Sequence, residues 1–267
     1  MDPLVRLKEG QRWMWALGDY SAVSPMLEPY GIGLAARCGI TPGLRVLDVA
    51  AGNGNFALAA ARLGAVVTAT DLTPRMLELG RARTIEAGET IEWLEADAED
   101  LPVRDGDFDL VASVFGAMFA PRPERVASEM FRATRPGGLV AMANYGWDGF
   151  LGSFAKLLGR YAGPGPAGVP APFEWGDEEV VRKRFGDLAA RVDVQPGVVT
   201  QAFGSVDDAL DFWERTNGPQ IALKTMLPPD RYADFKRDAE ALVRESNQSH
   251  GGGLELRSAY INVMARK

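Results

Sequence analysis

Three aspartates, Asp48, Asp71 and Asp97, each follow a short apolar run. The first stands just ahead of a glycine-bearing turn in "RVLDVAAGNGNFALAAA" (45–61). Gly52, Gly54 and Ala57 meet the spacing G-x-G-x-x-G/A of a dinucleotide-binding turn. Asp71 falls where such a turn is followed, about 20 residues on, by an acid that holds a ribose. Asp48, however, lies where a pyrophosphate would meet a carboxylate. Ionised carboxylates accept hydrogen bonds and offset positive charge, so the set suits a cationic ligand with a ribose and an adenine. In that arrangement Asp71 accepts from both ribose hydroxyls, Asp97 accepts from the adenine amino group, and Asp48 holds an ammonium or the water around it.

Positioning the three acids in one crevice takes strands. "LRVLDV" (44–49) reads as a buried strand, "NFALAAARL" (55–63) as a helix, "AVVTATD" (65–71) as a strand and "PRMLELGRARTIEAG" (74–88) as a helix with Pro74 in its first turn. "TIEWLEA" (90–96) and "FDLVASVF" (108–115) are further strands, "PERVASEMFRAT" (123–134) is a helix stopped by "RPGG", and "LVAMANY" (139–145) is the next strand. Strands separated by helices of this length imply right-handed crossovers and a parallel sheet covered on both faces. Ligands of such sheets bind beyond the strands' carboxyl ends, where Asp48, Asp71 and Asp97 all fall. S-adenosylmethionine, with its ammonium and sulfonium, fits this charge better than NAD does.

Around that core the rhythm changes. Residues 3–39 read as helical. After Tyr145, "GRYAGPGPAGVPAPFEWG" (159–176) is too rich in glycine and proline for regular structure; it is either a surface linker or a segment that folds over the site mouth. "ARVDVQPGVVTQAF" (190–203) holds another strand, 206–216 and 229–247 are helical, and "LELRSAYINVMARK" (254–267) closes the chain with strand alternation. The expectation is a single domain over 1–267: an N-terminal helical cap (1–40), a cofactor-binding core (41–145), substrate-side insertions (146–250) and a closing strand (251–267).

Bulk properties narrow the partners. The 267 residues suffice for one large α/β domain. A net charge of −7 without a basic stripe argues against nucleic acid. The one cysteine, Cys38, excludes an internal disulfide and leans toward a reducing compartment. No run is long enough for a signal-peptide core or a bilayer span, so a cytoplasmic monomer or homodimer is expected.

The motifs together resemble the class I S-adenosylmethionine-dependent methyltransferases, in their ubiquinone/menaquinone-methyltransferase-like branch. They are "VLDVAAGNGN", "VVTATDLTPRML", "EADAEDLPVRDGDFDLVASVFGAMF" and "RATRPGGLVAMANY", in the family's order over roughly residues 42–145. Ala50 departs from the family, where many members carry the first glycine of D-x-G-x-G-x-G. The resemblance implies a seven-stranded, mostly parallel Rossmann-like sheet with an antiparallel last strand, helices on both faces and a helical cap. It also implies that Gly52, Asn53 and Gly54 face the methionine part of the cofactor and that Asp71 binds its ribose. Leu72 and Met76 then lie beside the adenine, Asp97 and Ala98 read the adenine edge, and Val114 and Phe115 offer backbone contacts to the ammonium. Tyr20 stands where the N-terminal helices of such enzymes close over the cofactor, against the methionine part or the acceptor.

Methyl transfer asks chiefly for alignment and exclusion of water, with a general base only for an acceptor that must lose a proton. "SVFGAMFAP" after the fourth strand lacks the Asn/Asp-Pro-Pro-aromatic signature of adenine and glutamine N-methyltransferases, and no His/Cys/Asp cluster points to a metal. Aromatic residues of the cap, among them Trp13, Trp15, Tyr30, Trp147, Phe173 and Trp175, suit a small, partly apolar acceptor. His250, the only histidine, precedes the closing strand. In a polar, glycine-rich loop it reads either as a surface residue or, if an antiparallel closing strand brings that loop to the cofactor side, as a base, since imidazole takes protons near neutral pH. Three readings are compatible with the residues: a small-molecule methyltransferase, a protein using the same cofactor for a non-methylating reaction such as cyclisation or as a scaffold, and, from the glycine spacing alone, an NAD-dependent oxidoreductase.

Overall fold

The structure, a computed structural model, describes residues 3–163 and 165–267. Met1, Asp2 and Pro164, which fall in the expected N-terminal cap and glycine–proline segment, lie outside the described residues. Strands β1 (Arg45–Val49), β2 (Val66–Asp71), β3 (Ile91–Glu95), β4 (Phe108–Val114), β5 (Thr134–Gly149), β6 (Arg191–Phe203) and β7 (Leu254–Arg266) form one sheet in the order β3-β2-β1-β4-β5-β7-β6. β7 alone runs against its neighbours, as the sequence leads one to expect. The order reverses between β1 and β4, the place where open α/β sheets bind ligands.

Two apolar layers cover the sheet. On one face, α2 (Tyr20–Arg37) and α3 (Asn55–Arg62) pack Leu34, Phe56 and Ala60 against Val46, Val67 and Leu110. On the other, α5 (Pro123–Ala133) and α7 (Glu178–Phe185) pack Met130, Phe131 and Phe185 against Val111, Val140 and Val263. α4 (Pro74–Glu86) crosses from β2 to β3, and Pro74 occupies its first turn. At this position proline's missing N–H costs nothing. Gly80 of α4 makes room for the Trp93 ring, which a Cβ would meet at 2.2 Å.

The cap has its own core. α6 (Phe150–Ala162), α8 (Val206–Thr216), α9 (Gly218–Met226) and α10 (Pro229–Glu245) enclose Phe154, Trp213, Phe235 and Val243 together with Leu254 and Leu256 at the start of β7. The glycine–proline segment is less irregular than its composition implies. Residues 159–162 finish α6, and Pro172–Gly176 form a 3-10 turn whose Phe173 and Trp175 are buried. That turn packs on β5 so closely that a Cβ on Gly176 would lie 2.4 Å from the Tyr145 carbonyl oxygen. β5 also begins earlier than expected, at Thr134, and a register shift between Phe108 and Leu110 absorbs "RPGG".

α1 (Pro3–Leu17) lies across the carboxyl ends of the strands with no fully buried residue. Asp19 breaks it from α2 and caps the latter, accepting from the Ala22 N–H. Among the described residues no helix is long and apolar enough to cross a membrane.

Candidate active site

β1 delivers Asp48 to the sheet's reversal point between Ala69 of β2 and Ala112 of β4. The carboxylate is 1% exposed; its Oδ2 accepts from the Ala57 N–H at 3.0 Å, while Oδ1 has no partner. Burial pushes this carboxyl well above the usual carboxylate range; the Ala57 N–H opposes that, and the charge of Asp71 adds to it. A buried acid with one orphan oxygen is a receptor for a cation or a donor.

The turn after β1 is shaped by left-handed residues. Ala50 (φ 54°), Gly52 (φ 57°) and Gly54 (φ 91°) lie in the region that L side chains avoid. Asp71, at the end of β2, ties the turn down: Oδ2 accepts from the Gly52 N–H at 2.8 Å and Oδ1 from the Thr73 N–H at 2.9 Å. Burial raises the Asp71 carboxyl too, against the hydrogen bonds from Thr73 and Gly52. A carboxylate offers about four acceptor positions, more than the two bonds from Gly52 and Thr73 occupy.

Asn53 faces the other way. Its side chain donates to the Tyr20 carbonyl at 3.1 Å and accepts from the Ser24 hydroxyl and from Arg83 Nη1, fastening the turn to α2 and α4. Asp97, after β3, accepts from Lys8 Nζ (2.5 Å) and from the Glu99 N–H (2.9 Å). α1 makes two further polar contacts along the strand ends: Gln11 Nε2 donates to Phe119 O at 2.7 Å, and Arg12 Nε to Leu72 O at 2.9 Å. Phe115 has φ 57° just past β4, and its ring stacks on Tyr145 with centroids 3.9 Å apart and planes 2° from parallel.

These residues meet in one cavity of about 350 Å³. Of the residues singled out from sequence, Tyr20, Asp48, Ala50, Gly52, Asn53, Asp71, Leu72, Met76, Asp97, Ala98, Val114 and Phe115 line it. Gly54 is not in the lining. It caps α3 from beneath, where a Cβ would meet the Trp93 ring at 2.8 Å.

His250 is outside the cavity as well, and exposed. β7 is antiparallel, as its placement required, but it overshoots. Its last pairing with β5 is Ser258 with Gly149, whereas pairing with β6 continues to Leu254. Four extra residues at about 3.4 Å each carry the loop some way past the site, beyond Leu254 and Leu256 in the cap core.

Residues that the sequence reading missed also line the cavity: Lys8 and Gln11 from α1, Phe154 and Leu158 from α6, Gln201 from β6, and Phe212, Trp213 and Asn217 from the α8–α9 region. They divide the cavity into a carboxylate-bearing half at the strand ends and an apolar half under the cap.

Sheet order and an acid-lined cavity at the reversal point define a Rossmann-like, cofactor-binding α/β protein. The methyltransferase domain family matches residues 47–142, from β1 into β5. An uncharacterized protein of Mycobacterium tuberculosis is 43% identical over 238 residues, covering 88% of this chain and 87% of that one. The demethylmenaquinone methyltransferase of Clavibacter sepedonicus is 33% identical over 139 residues, 52% of this chain and 50% of that one. The crystal structure of the YcgJ protein of Bacillus subtilis superimposes with a TM-score of 0.61 over 89% of this chain and 98% of that one; at 16% identity the likeness is one of fold. Residues 47–142 thus carry a methyltransferase domain, and the chain belongs to one family with the mycobacterial protein.

Proposed function

We propose that the strand-end half of the cavity binds S-adenosylmethionine and the cap half a small, partly apolar acceptor, which receives the methyl group. One observation carries the reading: Asp48, Asp71 and Asp97, from three successive strand ends, converge on a single cavity at the sheet's reversal point. The orphan Oδ1 of Asp48 is positioned for the ammonium end or its water, and a cation there would draw the proton off the buried carboxyl. The remaining acceptor positions of Asp71 take the ribose hydroxyls, Leu72 and Met76 flank the adenine, and Asp97 with Ala98 meets its edge. Gly52 and Asn53 form the floor under the methionine part, and Val114 and Phe115 bound it from β4.

When bound, S-adenosylmethionine supplies an electrophilic methyl group. The chain's own contribution is alignment and exclusion of water. Trp15, Phe154, Phe173 and Trp213 wall the acceptor side with apolar surface, and α1 spans the strand ends. Burial raises the pKa of both Tyr20 and Tyr145, so their hydroxyls stay protonated and serve as donors rather than bases.

Calorimetry with S-adenosylmethionine, S-adenosylhomocysteine and NAD tests the cofactor. The first two bind and NAD does not. Asp71→Ala, losing hydrogen bonds to a charged acceptor, weakens binding by about 1.5–3 kcal/mol. NAD binding, or unchanged affinity in a folded Asp71→Ala protein, overturns the assignment. Incubation with a metabolite extract, read as mass gains of one methyl group, tests the transfer.

A further inference from the structure

We infer that Gln201 selects the acceptor, and that the acceptor is an uncharged, largely apolar molecule presenting one hydrogen-bonding group to the Gln201 amide. The inference rests on the assignment of the strand-end half of the cavity to S-adenosylmethionine, which leaves the cap half for the acceptor.

Gln201 breaks the pattern of its strand. Along β6, Val199, Gln201 and Phe203 share the inward face while Val198, Thr200 and Ala202 are exposed. An inward position between a valine and a phenylalanine calls for an apolar side chain. Gln201 is paired across from Leu256, which is fully buried, and is itself 8% exposed. It lines the cavity, and its Oε1 has no hydrogen-bond partner. Amide oxygens and nitrogens buried without partners are costly, so a ligand that completes this one is favoured over one that does not.

Of the other polar groups in the lining, Thr216 and Asn217 are already engaged, and the Tyr20 and Tyr145 hydroxyls, the Tyr145 ring stacked on Phe115, belong to the cofactor half. The Thr216 hydroxyl donates to Phe212 O at 2.8 Å, and Asn217 Oδ1 accepts from the Gln220 N–H at 2.9 Å. Charge is confined to the other half. Among the described lining residues the charged side chains are Lys8, Asp48, Asp71 and Asp97, and Lys8 is held by Asp97 and Glu99. A carboxylate, phosphate or ammonium under the cap would lose its water with no counter-charge. A neutral hydroxyl, carbonyl or amide set in an apolar frame meets a free amide.

Calorimetry on the protein saturated with S-adenosylhomocysteine, using four probes of one shape, tests this: naphthol, naphthalene, naphthoate and naphthylmethylammonium. Naphthol binds at least about tenfold more tightly than the other three, as expected for a site built around one hydrogen bond. In Gln201→Met, which keeps length and loses the amide, naphthol falls to the level of naphthalene while naphthalene is unchanged. If that variant does not fold, Gln201→Asn serves: one methylene shorter, it must lose most of the naphthol preference. A preference that survives in a folded variant, a charged probe that binds as well as naphthol, or binding by none of the four overturns the inference and leaves the cofactor assignment standing. Failure of S-adenosylhomocysteine to bind the unmodified protein overturns both.

Discussion

Lys8 Nζ lies 2.5 Å from Asp97 Oδ2, joining residues 89 positions apart, and the same ammonium also pairs with Glu99. Glu99 is wholly buried and keeps the Arg122 N–H at 2.6 Å and Nε at 2.7 Å without Lys8. The helix that carries Lys8 buries no residue fully; its end packs on α9 at Gly218 and sets Trp15 against Phe119, while polar contacts with Asp97, Leu72 and Phe119 fix its middle across the strand ends. Lys8→Met therefore opens this edge without collapsing the loop beneath. Partly exposed ion pairs contribute up to about 1 kcal/mol, so release of S-adenosylhomocysteine, followed by stopped flow, accelerates about three- to fivefold. Salt speeds release from the unmodified protein, because screening weakens the pair, and does so less in the variant. Equal rates in both would make α1 a passive cover.

A conflict between stability and binding is built into Asp48. The folded state raises this carboxyl above its unfolded value of about 3.9, so the fold favours the protonated acid. Below that pH both states are protonated and burial imposes no charge penalty. As pH rises toward the folded value, the unfolded chain loses its proton first and stability falls. Asp48→Asn removes this dependence. Thermal melts of the cofactor-free proteins should show the variant more stable at pH 7 and the advantage disappearing near pH 4. Asp71, raised in the same direction, keeps a residual slope in both. Affinity for S-adenosylmethionine drops at least about tenfold in the variant, the scale of one charge-assisted hydrogen bond. A difference in Tm that does not vary with pH would refute the account.

Ala50 and Gly116 form a second coupled pair. Ala50 holds a left-handed backbone, and a Cβ on Gly116 would sit 2.1 Å from the Ala50 carbonyl oxygen. Left-handed strain of about 1–2 kcal/mol, less about 0.4–1 kcal/mol for the looser unfolded chain, leaves a net gain for glycine at position 50. Ala50→Gly thus raises the Tm by about 1–3 °C with cofactor affinity kept. Gly116→Ala must push the β4 exit away from the turn, losing about 1–3 kcal/mol as overpacked sites do and weakening cofactor binding. Melting curves and calorimetry on the two variants give opposite signs if the contact is as drawn.

What could be read from the sequence was local. Asp48, the glycine turn and Asp71 sit within 24 consecutive residues whose strand–turn–helix–strand pattern fixes their places. Features that depend on distant pairing stayed hidden. Gln201 looks unremarkable in "VVTQAF" until β6 pairs with β7 and its neighbours define an inward face. Lys8 and Arg83 reach the site only through long-range contacts, and no spacing rule reports those. α6, with Gly152 and Gly159 among its 13 residues, lacks the composition of a strong helix; burial of Phe150, Phe154 and Leu157 supplies what propensity does not. Of the two readings open for His250, the structure has the exposed one: strand direction is readable from sequence, but strand length relative to β5 is not.

Proton handling at the acceptor gives the last prediction. His250 is exposed in a loop beyond the cap core, whereas Tyr20 lines the cavity with its hydroxyl kept protonated by burial. A general base must reach the proton it removes, directly or through one water. His250 lies outside the cavity in this fold, and burial favours the protonated form of Tyr20. With the acceptor returned by the mass-gain screen, His250→Ala keeps kcat within about twofold from pH 6 to 9, outside the usual range of effects for a general base. Tyr20→Phe removes a donor from a desolvated site and lowers kcat/KM by about tenfold, while the shape of its pH profile is unchanged. Loss of one limb of the profile in the His250 variant would show that the loop folds back over the site during turnover. Loss of a limb in the Tyr20 variant would show that the phenol ionises in the loaded enzyme. Either result would replace alignment and desolvation with base catalysis as the source of the rate.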